Sequence, residues 1–282
     1  MEKEILRFEQ VTGRGRKFPI QNVNFTMKSG YIYGLTGKNG AGKSTLIKTI
    51  LHEQSRYNGA IYVDGIPVKE NYAAACRKIG YVSEDNVFFE KCTAMQNAEA
   101  LGVFYDDFQI ERFCKQMQAF DVPVSKQYGA MSRGEKLKCQ LAFAIAHQPV
   151  LYLLDEATAG MDAVFRLQFF DCMRRLVEDE SCGVLLTSHI TTDLERNTDY
   201  SAVMENGQFS GWTESIDGIL RQDDREQENN RRQTTAVFGK IFCERKNMVS
   251  RLFRVQICGI YDVFLWHYRL AVSLSGRVGV HS

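Results

Sequence analysis

The feature that most constrains how this chain can fold is a glycine-rich octapeptide at Gly37–Ser44, with the sequence GKNGAGKS. The apolar segment Tyr31–Leu35 before it predicts a buried strand, and Thr45–Leu51 after it predicts a helix. In the pattern G-x-x-x-x-G-K-[ST], small residues let successive backbone N–H groups turn toward an anion at the helix N-terminus. The sequence therefore predicts a strand–loop–helix unit that binds the phosphates of a nucleotide.

The end of the octapeptide supplies specific side-chain chemistry. Lys43 is expected to reach the β- and γ-phosphates, and the Ser44 hydroxyl is expected to ligate Mg²⁺. The chain is therefore expected to bind a nucleoside triphosphate together with its metal. The residues predicted to contact the nucleotide in this segment are Gly37, Lys38, Asn39, Gly40, Ala41, Gly42, Lys43, Ser44 and Thr45.

Composition disfavours several other classes of protein. The 282 residues carry a formal net charge of +1, so bulk electrostatics gives no reason to expect a nucleic-acid partner. The eight cysteines include no C-x-x-C pair, which favours reduced thiols in a cytosolic compartment over a metal site. No window approaches the roughly 18 consecutive apolar residues of a membrane span, so any such span would belong to another chain.

Apolar segments alternate with segments of helical periodicity along most of the chain. Between Ile5 and Phe25, apolar and polar residues alternate around a glycine-rich turn, which favours short antiparallel strands. The alternation predicts an α/β fold with a mostly parallel sheet, an antiparallel β subdomain and a helical subdomain. The predicted buried strands are Ile79–Glu84, Val150–Leu154 and Gly183–Ser188, and the predicted helices are Thr93 to about Phe120, Glu135–His147 and Arg166–Glu178.

Changes of composition suggest where domains begin and end. Residues 1–220 are predicted to form one nucleotide-binding domain, with its helical subdomain at about 85–147. Residues 221–232 (RQDDREQENNRR) are almost all charged or amide residues and are typical of a solvated linker. Residues 233–282 interleave basic and aromatic residues. This tail could be a membrane-surface patch, a dimerisation element or sequence from an altered reading frame.

Two further motifs follow predicted strands, at the edge where open α/β sheets place their ligands. Asp155 and Glu156 follow the strand Val150–Leu154, and His189 follows Gly183–Ser188. After a phosphate loop, Asp155 is expected to hold Mg²⁺, usually through water, and Glu156 to orient or deprotonate an attacking water. The alternative, an ordinary solvated strand end, is disfavoured by the phosphate loop that precedes the pair.

The segment Met131–Glu135 (MSRGE) lies just before a predicted helix. It resembles the S-G-G-Q-type signature of ATP-binding-cassette (ABC) proteins, in an S-x-G-E form. With the phosphate loop, Asp155-Glu156 and His189 in the same order, the chain is similar to the ATPase subunit of an ABC transporter over residues 2 to about 215. The resemblance implies a P-loop NTPase ABC-cassette fold that binds ATP and Mg²⁺. Ser132 is also expected to cap its helix.

The resemblance also implies roles for individual residues. Glu84 stands where the family usually has a glutamine that senses Mg²⁺ and couples to the membrane subunit. His189 resembles the switch histidine that contacts the γ-phosphate and the catalytic water, and Ala159–Asp162 resembles the loop through which two ATPase halves signal. The implied catalytic residues are Glu156, His189 and Lys43, the implied metal ligands are Ser44, Asp155 and Glu84, and the further nucleotide contacts are Glu84, Ser132 and Gly134.

Two positions depart from the family pattern. Glu84 adds a negative charge beside Mg²⁺, which should alter metal affinity without abolishing hydrolysis. The family usually stacks adenine on an aromatic residue shortly before the phosphate loop, whereas the segment Gly13–Phe18 offers only Phe18 or an arginine side chain. The preference for ATP therefore follows from the resemblance alone.

The resemblance implies a site with two sides. In the family, nucleotide lies between two ATPase domains that face head to tail, with Ser132 and Gly134 of one facing the phosphate loop of the other. One chain carries one copy of each motif, so we expect a homodimer or a heterodimer with a related ATPase subunit.

The function implied is ATP hydrolysis that energises transport, and the S-R-G-E form favours export. A separate membrane permease would dock on the region Thr93–Asn97, which would hold the chain in the cytoplasm on the inner face of the cell membrane. Two alternatives remain: a non-transport ABC ATPase that acts on ribosomes or DNA, and a regulatory nucleotide-binding module that does not hydrolyse. The transported substrate is not specified by the sequence.

Overall fold

The structure is a computed structural model that describes residues 3–14, 20–52, 56–84, 88–158, 161–189 and 191–215. Three sequence predictions lie outside these residues: the linker at 221–232, the tail at 233–282 and the role of Phe18. The loop Ala159–Asp162 is described only from Met161 onward.

An antiparallel sheet is built from the N-terminal strands, as the sequence predicted. Its strands pair in the order β2-β1-β4-β5. Alternate residues of β2 are buried, which fits a sheet with one face packed on a core and one face in solvent. The strands are β1 (Glu4–Gly13), β2 (Val23–Lys28), β4 (Tyr57–Val63) and β5 (Ile66–Pro67).

A second, mostly parallel sheet forms the centre of the fold. Its strands pair in the order β10-β9-β3-β8-β7-β6, and β11 pairs with β9. The pairs from β9 to β6 are parallel, whereas β10 and β11 each run antiparallel to β9. The strands are β3 (Ile32–Thr36), β6 (Ile79–Ser83), β7 (Leu151–Asp155), β8 (Gly183–Ser188), β9 (Tyr200–Glu205), β10 (Gln208–Phe209) and β11 (Thr213–Glu214).

Helices connect the parallel strands and cover both faces of the central sheet. Helices α3, α4 and α5 lie in sequence between β6 and β7, where the helical subdomain was predicted. No helix in the described ranges has the length and hydropathy needed to span a membrane. The helices are α1 (Lys43–Ile50), α2 (Tyr72–Arg77), α3 (Ala94–Gly102), α4 (Ile110–Ala119), α5 (Arg133–Ala146), α6 (Ala163–Val177) and α7 (Thr191–Asn197), with a 3-10 turn at Tyr128–Ala130.

The central strands separate two hydrophobic cores, because successive strand residues point to opposite faces. In β7, Leu151 and Leu153 pack with α1 and the antiparallel sheet, whereas Tyr152 and Leu154 pack with the helices that include α5 and α6. Both faces are therefore covered, which explains why every residue of β7 and β8 is buried and why their apolar residues are consecutive rather than alternating.

The prediction of one helix from Thr93 to about Phe120 is wrong, because the structure has two helices there. Helix α3 ends at Gly102, and α4 begins at Ile110. The ring of Phe108 folds over Gly102 so closely that an added Cβ would lie 2.4 Å from it. Glycine has low helix propensity and leaves room for this ring, so the chain turns where periodicity alone predicts continuation.

Candidate functional site

Most of the predicted site residues meet at one edge of the central sheet. In the parallel register Thr36 aligns with Ser188, Asp155 aligns with Thr187, and Ser83 aligns with Asp155. Parallel strands that end in register bring the residues after them together at the same edge. The glycine loop follows β3, Glu156 follows β7, His189 follows β8 and Glu84 follows β6.

The glycine loop adopts a backbone shape that only glycine tolerates easily. Gly37, Gly40 and Gly42 have φ angles of 155°, 80° and 114°. A Cβ on Gly37 would lie 2.3 Å from the carbonyl oxygen of Met204, whereas one on Gly40 would meet nothing within 4 Å. Gly42 caps α1 without any side-chain hydrogen bond, so the first turn of α1 presents its backbone donors without an internal side-chain cap. This fits a cradle for an anion.

Lys43 is buried and points its ammonium group along the loop. Its Nζ donates to the carbonyl oxygen of Gly37 at 2.7 Å and lies 3.3 Å from Oε1 of Glu156. Only 5% of the side chain is exposed. A buried ammonium needs acceptor oxygens around it, and here they come from the loop and from Glu156. Lys43 is thus held between the two motifs that the sequence assigned to phosphate binding and catalysis.

The oxygen groups of Ser44 and Asp155 form the part of the site suited to a hard cation. Ser44 Oγ donates to Asp155 Oδ1 at 3.2 Å, and Thr187 Oγ1 donates to the same oxygen at 2.6 Å. Asp155 is 7% exposed. A hydroxyl beside a carboxylate matches the oxygen ligands that Mg²⁺ prefers when phosphates and water complete its shell. These residues therefore fit the metal that the sequence predicted.

Glu156 lies between Lys43 and His189. While Oε1 faces Lys43, Oε2 lies 2.7 Å from Nδ1 of His189 and 3.3 Å from its backbone nitrogen. The backbone N–H of Glu156 donates to Thr187 Oγ1 at 3.0 Å, and Glu156 has a φ of 50°. Because a carboxylate accepts hydrogen bonds, the Nδ1 of His189 carries the proton in this contact. The Glu156 carboxylate is thus held by Lys43 on one side and by His189 on the other.

A cavity of about 330 Å³ opens between these groups. It brings together most of the residues that the sequence assigned to nucleotide and metal. Its lining residues are Asn39, Gly40, Gly42, Lys43, Ser44, Thr45, Glu84, Glu156 and His189. A second cavity of about 570 Å³ adjoins the other side of the loop, where Gly37, Lys38 and Ala41 contribute to its wall.

Ser132 and Gly134 do not line either of these cavities. They begin α5, where Ser132 Oγ accepts from the backbone N–H of Glu135 at 3.3 Å, and Glu135 Oε2 accepts from the backbone N–H of Ser132 at 2.8 Å. The Lys126 ammonium lies 2.8 Å from both carboxylate oxygens of Glu135 and is the main reason why the pKa of Glu135 is lowered. The hydrogen bond from the backbone N–H of Ser132 lowers this pKa further. The predicted capping role of Ser132 is confirmed.

Thr187 is a site residue that motif analysis left without a role. Its hydroxyl connects Asp155 to the backbone of Glu156, so it fixes both carboxylate positions from the neighbouring strand. The sequence carried a partial signal, because Thr187 is a polar residue near the end of a predicted buried strand. Its partner could not be identified from sequence, because the strand register decides which residues face each other.

The chain resembles proteins of known family over the region that contains these motifs. A family model described as ABC transporter matches residues 20–159. The ABC transporter ATP-binding protein YtrB of Bacillus subtilis is 31% identical, over 68% of this chain and 65% of the relative. The Nod factor export ATP-binding protein I of Rhizobium meliloti is 31% identical, over 68% and 59%, respectively.

A third relative, an ABC transporter ATP-binding protein of Mycoplasma pneumoniae, is 30% identical, over 76% of this chain and 67% of its own length. The chain thus spans between 59% and 67% of the length of these relatives. Among solved structures, an ATP-binding subunit of an ABC transporter matches with a TM-score of 0.70 and 26% identity, covering 78% of this chain and 93% of that one. The predicted fold class is confirmed by this match.

Proposed function

This chain belongs to the family of ABC transporter ATP-binding proteins, and from that premise we propose that it binds and hydrolyses ATP to energise transport. The observation that carries the proposal is the meeting of Lys43, Ser44, Glu156 and His189 around one cavity, with Asp155 hydrogen-bonded to Ser44. A module that only binds nucleotide would not need a carboxylate and a histidine held together 2.7 Å apart beside the phosphate loop.

The glycine loop and Lys43 would bind the phosphates. Backbone N–H groups at the start of α1 and the Lys43 ammonium offer positive charge to the oxygens of the triphosphate. Lys43 would exchange its contacts with the Gly37 carbonyl oxygen and the Glu156 carboxylate for phosphate oxygens. Glu156 would then be free to accept a proton from water.

Glu156 is the proposed general base, and His189 its positioning partner. The Nδ1–H of His189 holds Oε2 of Glu156, which leaves Oε1 to accept from the attacking water. A neutral imidazole protonated at Nδ1 has an acceptor at Nε2, so a second proton on His189 would be needed for it to donate to the γ-phosphate. His189 therefore fixes the position of the base.

Ser44 and Asp155 would hold Mg²⁺, with Glu84 at the edge of the same cavity. When bound, this metal neutralises charge on the β- and γ-phosphates. Thr187 keeps the Asp155 carboxylate aimed at Ser44 through its hydrogen bond.

The proposed reaction needs two chains. Ser132 and Gly134 lie outside the phosphate-loop cavity, which supports their facing the nucleotide of a second copy or of a related ATPase subunit. Closing two chains on ATP and reopening after hydrolysis would move an attached permease, as a population shift driven by the γ-phosphate.

Substitution Glu156→Gln tests the proposal. It keeps the shape and hydrogen-bonding length of the side chain but removes the base, so ATP hydrolysis is expected to fall about 10²- to 10⁴-fold while ATP binding is retained. Glu90→Gln is the matched control, because Glu90 is exposed and pairs with Lys136 away from the cavity. Phosphate release by the purified chain measures the rate. Hydrolysis by E156Q at the wild-type rate would contradict the assignment, and a wild type without ATP binding would overturn the function.

We also propose that the chain serves an exporter, through a separate membrane permease at the cytoplasmic face of a membrane. The name of the Nod factor export relative supports the direction. Within the expected docking region Thr93–Asn97, Ala94 and Asn97 are buried at 0% and 1%, so only its other side chains could contact a permease. Asn97 instead holds the loop before it, accepting from the backbone N–H of Phe89 at 2.8 Å.

The better candidate for the docking face is the set of large apolar side chains exposed at either end of α3. Phe89, Val103 and Phe104 are 56%, 77% and 64% exposed. Phe104 also lines an aromatic cavity of about 330 Å³ together with Tyr105. Apolar side chains exposed next to such a groove are typical of a protein–protein contact.

Substitution Phe104→Glu tests this docking face. The native complex would be purified from membranes of the source organism by a tag on this chain, and its membrane subunit identified. F104E is expected to lose that subunit and to keep ATP binding, whereas V164E, which alters an equally exposed apolar residue on α6, keeps both. Recovery of ribosomes or DNA instead of a membrane protein would favour the non-transport alternative.

A further inference from the structure

Glu84 lies at the boundary between two cavities. It lines the phosphate-loop cavity together with Lys43 and Ser44. It also lines a neighbouring cavity of about 210 Å³, whose wall includes Arg133 and Lys136 at the start of α5. The direction in which this one side chain points therefore decides whether its charge acts on the nucleotide site or on the signature segment.

Arg133 is the cation that holds Glu84. Nη2 of Arg133 forms an ion pair with Oε1 of Glu84, and both side chains are about half exposed. The second cation in the same cavity, Lys136, is engaged elsewhere: its Nζ lies 3.9 Å from Oε1 of Glu90 and 5.2 Å from the centre of the Tyr128 ring. The two cations thus differ in the carboxylate that each one binds.

The backbone beside Glu84 is fixed independently of this ion pair. The backbone N–H of Ser83 donates to Oε1 of Gln140 on α5 at 2.9 Å, and Nε2 of Gln140 donates to Tyr128 Oη at 3.0 Å. Both Ser83 and Gln140 are buried. Because the strand end is already tied to α5, the Arg133 contact is not needed to hold it, and its effect falls on the side chain of Glu84.

We propose that Arg133 is a positioning residue that draws the carboxylate of Glu84 away from the metal and so raises the Mg²⁺ concentration needed for nucleotide binding. The proposal rests on the proposed function, since it takes the phosphate-loop cavity as the nucleotide–metal site. The Glu84 carboxylate cannot bind Arg133 and a Mg²⁺ ion in the phosphate-loop cavity equally well at the same time, so Arg133 and Mg²⁺ compete for it. A glutamine at position 84 would carry no charge for Arg133 to bind, and the competition would not arise.

Substitution Arg133→Gln tests the competition. Binding of an ATP analogue with a fluorophore on the ribose would be measured on the full chain while Mg²⁺ is titrated, with a parallel series in EDTA. R133Q is expected to lower the Mg²⁺ concentration at half-maximal binding about two- to fivefold, the range for an exposed ion pair. Affinity in EDTA is expected to stay at the wild-type value. R133K keeps the charge and is expected to restore most of the wild-type dependence.

Two further variants separate positioning from general charge. K136Q removes a cation from the same cavity that is paired with Glu90, so it is expected to leave the Mg²⁺ dependence unchanged. In an E84Q background, where no carboxylate is present to be released, R133Q is expected to have no further effect. Circular dichroism and the urea midpoint confirm that each variant is folded.

Each outcome distinguishes this inference from the proposed function. If wild type binds the analogue with Mg²⁺ but R133Q shows no shift, the positioning role of Arg133 is wrong and the function stands. The role is equally wrong if K136Q gives the same shift as R133Q, or if R133Q keeps its full effect beside E84Q. If wild type binds no nucleotide with or without Mg²⁺, the proposed function itself fails.

Discussion

Two helices begin at motifs that the sequence assigns to nucleotide, and they begin in opposite ways. Helix α1 starts after Gly42, which has no side-chain cap, and its first turn carries no acidic residue. Helix α5 starts with a complete capping box, in which Ser132 and Glu135 satisfy each other's backbone N–H groups and Lys126 neutralises the carboxylate. The first N-terminus is open to an external anion, and the second is closed by its own residues.

The two helix starts therefore differ in what they can offer to a phosphate. At α1 the backbone donors and the Lys43 ammonium provide strong positive potential with no carboxylate in the first turn. At α5 the negative charge of the Glu135 carboxylate already offsets the positive electrostatic potential of the helix N-terminus. The start of α5 therefore offers mainly the Ser132 hydroxyl and the unhindered backbone at Gly134. We therefore expect α1 to determine affinity and α5 to affect the rate once a second chain closes.

Substitution Lys43→Ala is expected to cause the largest loss of nucleotide affinity. It removes a buried ammonium whose charge-assisted hydrogen bonds are worth about 1.5–3 kcal/mol, so ATP affinity should fall about 10- to 100-fold. Calorimetric titration of the chain with ATP and Mg²⁺ measures the change. Lys48→Ala, at the far end of the same helix, is the control and should bind as wild type does. Equal losses in both variants would show that the open end of α1 is not the binding site.

Alanine at Gly37 and at Gly40 tests the backbone shape of the open end. Both glycines have positive φ, so each alanine should cost about 1–3 kcal/mol of stability in urea unfolding. Only G37A also drives a Cβ to 2.3 Å from the Met204 carbonyl oxygen, which should add roughly 2 kcal/mol. If the two variants unfold at the same urea concentration, the close approach of the loop to β9 is not real.

Substitution Gly134→Ala examines the closed end. Nothing lies within 4 Å of the added Cβ, and alanine favours a helix by up to about 1 kcal/mol, so stability should be unchanged or slightly higher. Binding of ATP to the single chain should also be unchanged. The rate of hydrolysis should nevertheless fall on the order of tenfold or more, because the methyl group would alter the surface proposed to face a second chain's nucleotide. An unchanged rate would remove Gly134 from the proposed site.

The smallest expected effect concerns pH and the capping box of α5. Lys126 and the backbone of Ser132 lower the pKa of Glu135 below its ordinary value of 4.5. A lowered folded pKa means that the unfolded chain takes up the proton first. The stabilisation is therefore complete above about pH 4.5 and is lost as the pH falls through the folded pKa. E135Q should lose this part of the acid dependence, worth less than about 1 kcal/mol, when urea midpoints of both proteins are compared across acid pH. Parallel pH curves would contradict the prediction.

Much of the fold followed from local patterns. The family, the α/β class and the separate antiparallel strands were predicted and are confirmed. The order of the motifs indicates the family, and the pattern of apolar residues indicates which segments are buried strands or helices. The break between α3 and α4 was missed, because it depends on Phe108 closing over Gly102, a contact of neighbours in space that periodicity does not register. The domain limits and the roles of the site residues stay predictions.

The residue types and their order along the chain define which groups are available: a phosphate loop, a lysine, two carboxylates, a histidine and a serine–glycine helix start. Which of these groups contact each other depends on the tertiary structure. Strand register places Thr187 against Asp155, and the packing of β6 beside α5 gives Glu84 to Arg133. The physical reason is that residue types fix local conformation and chemistry along the chain, whereas pairing between distant segments is set by register and packing, which no single segment encodes.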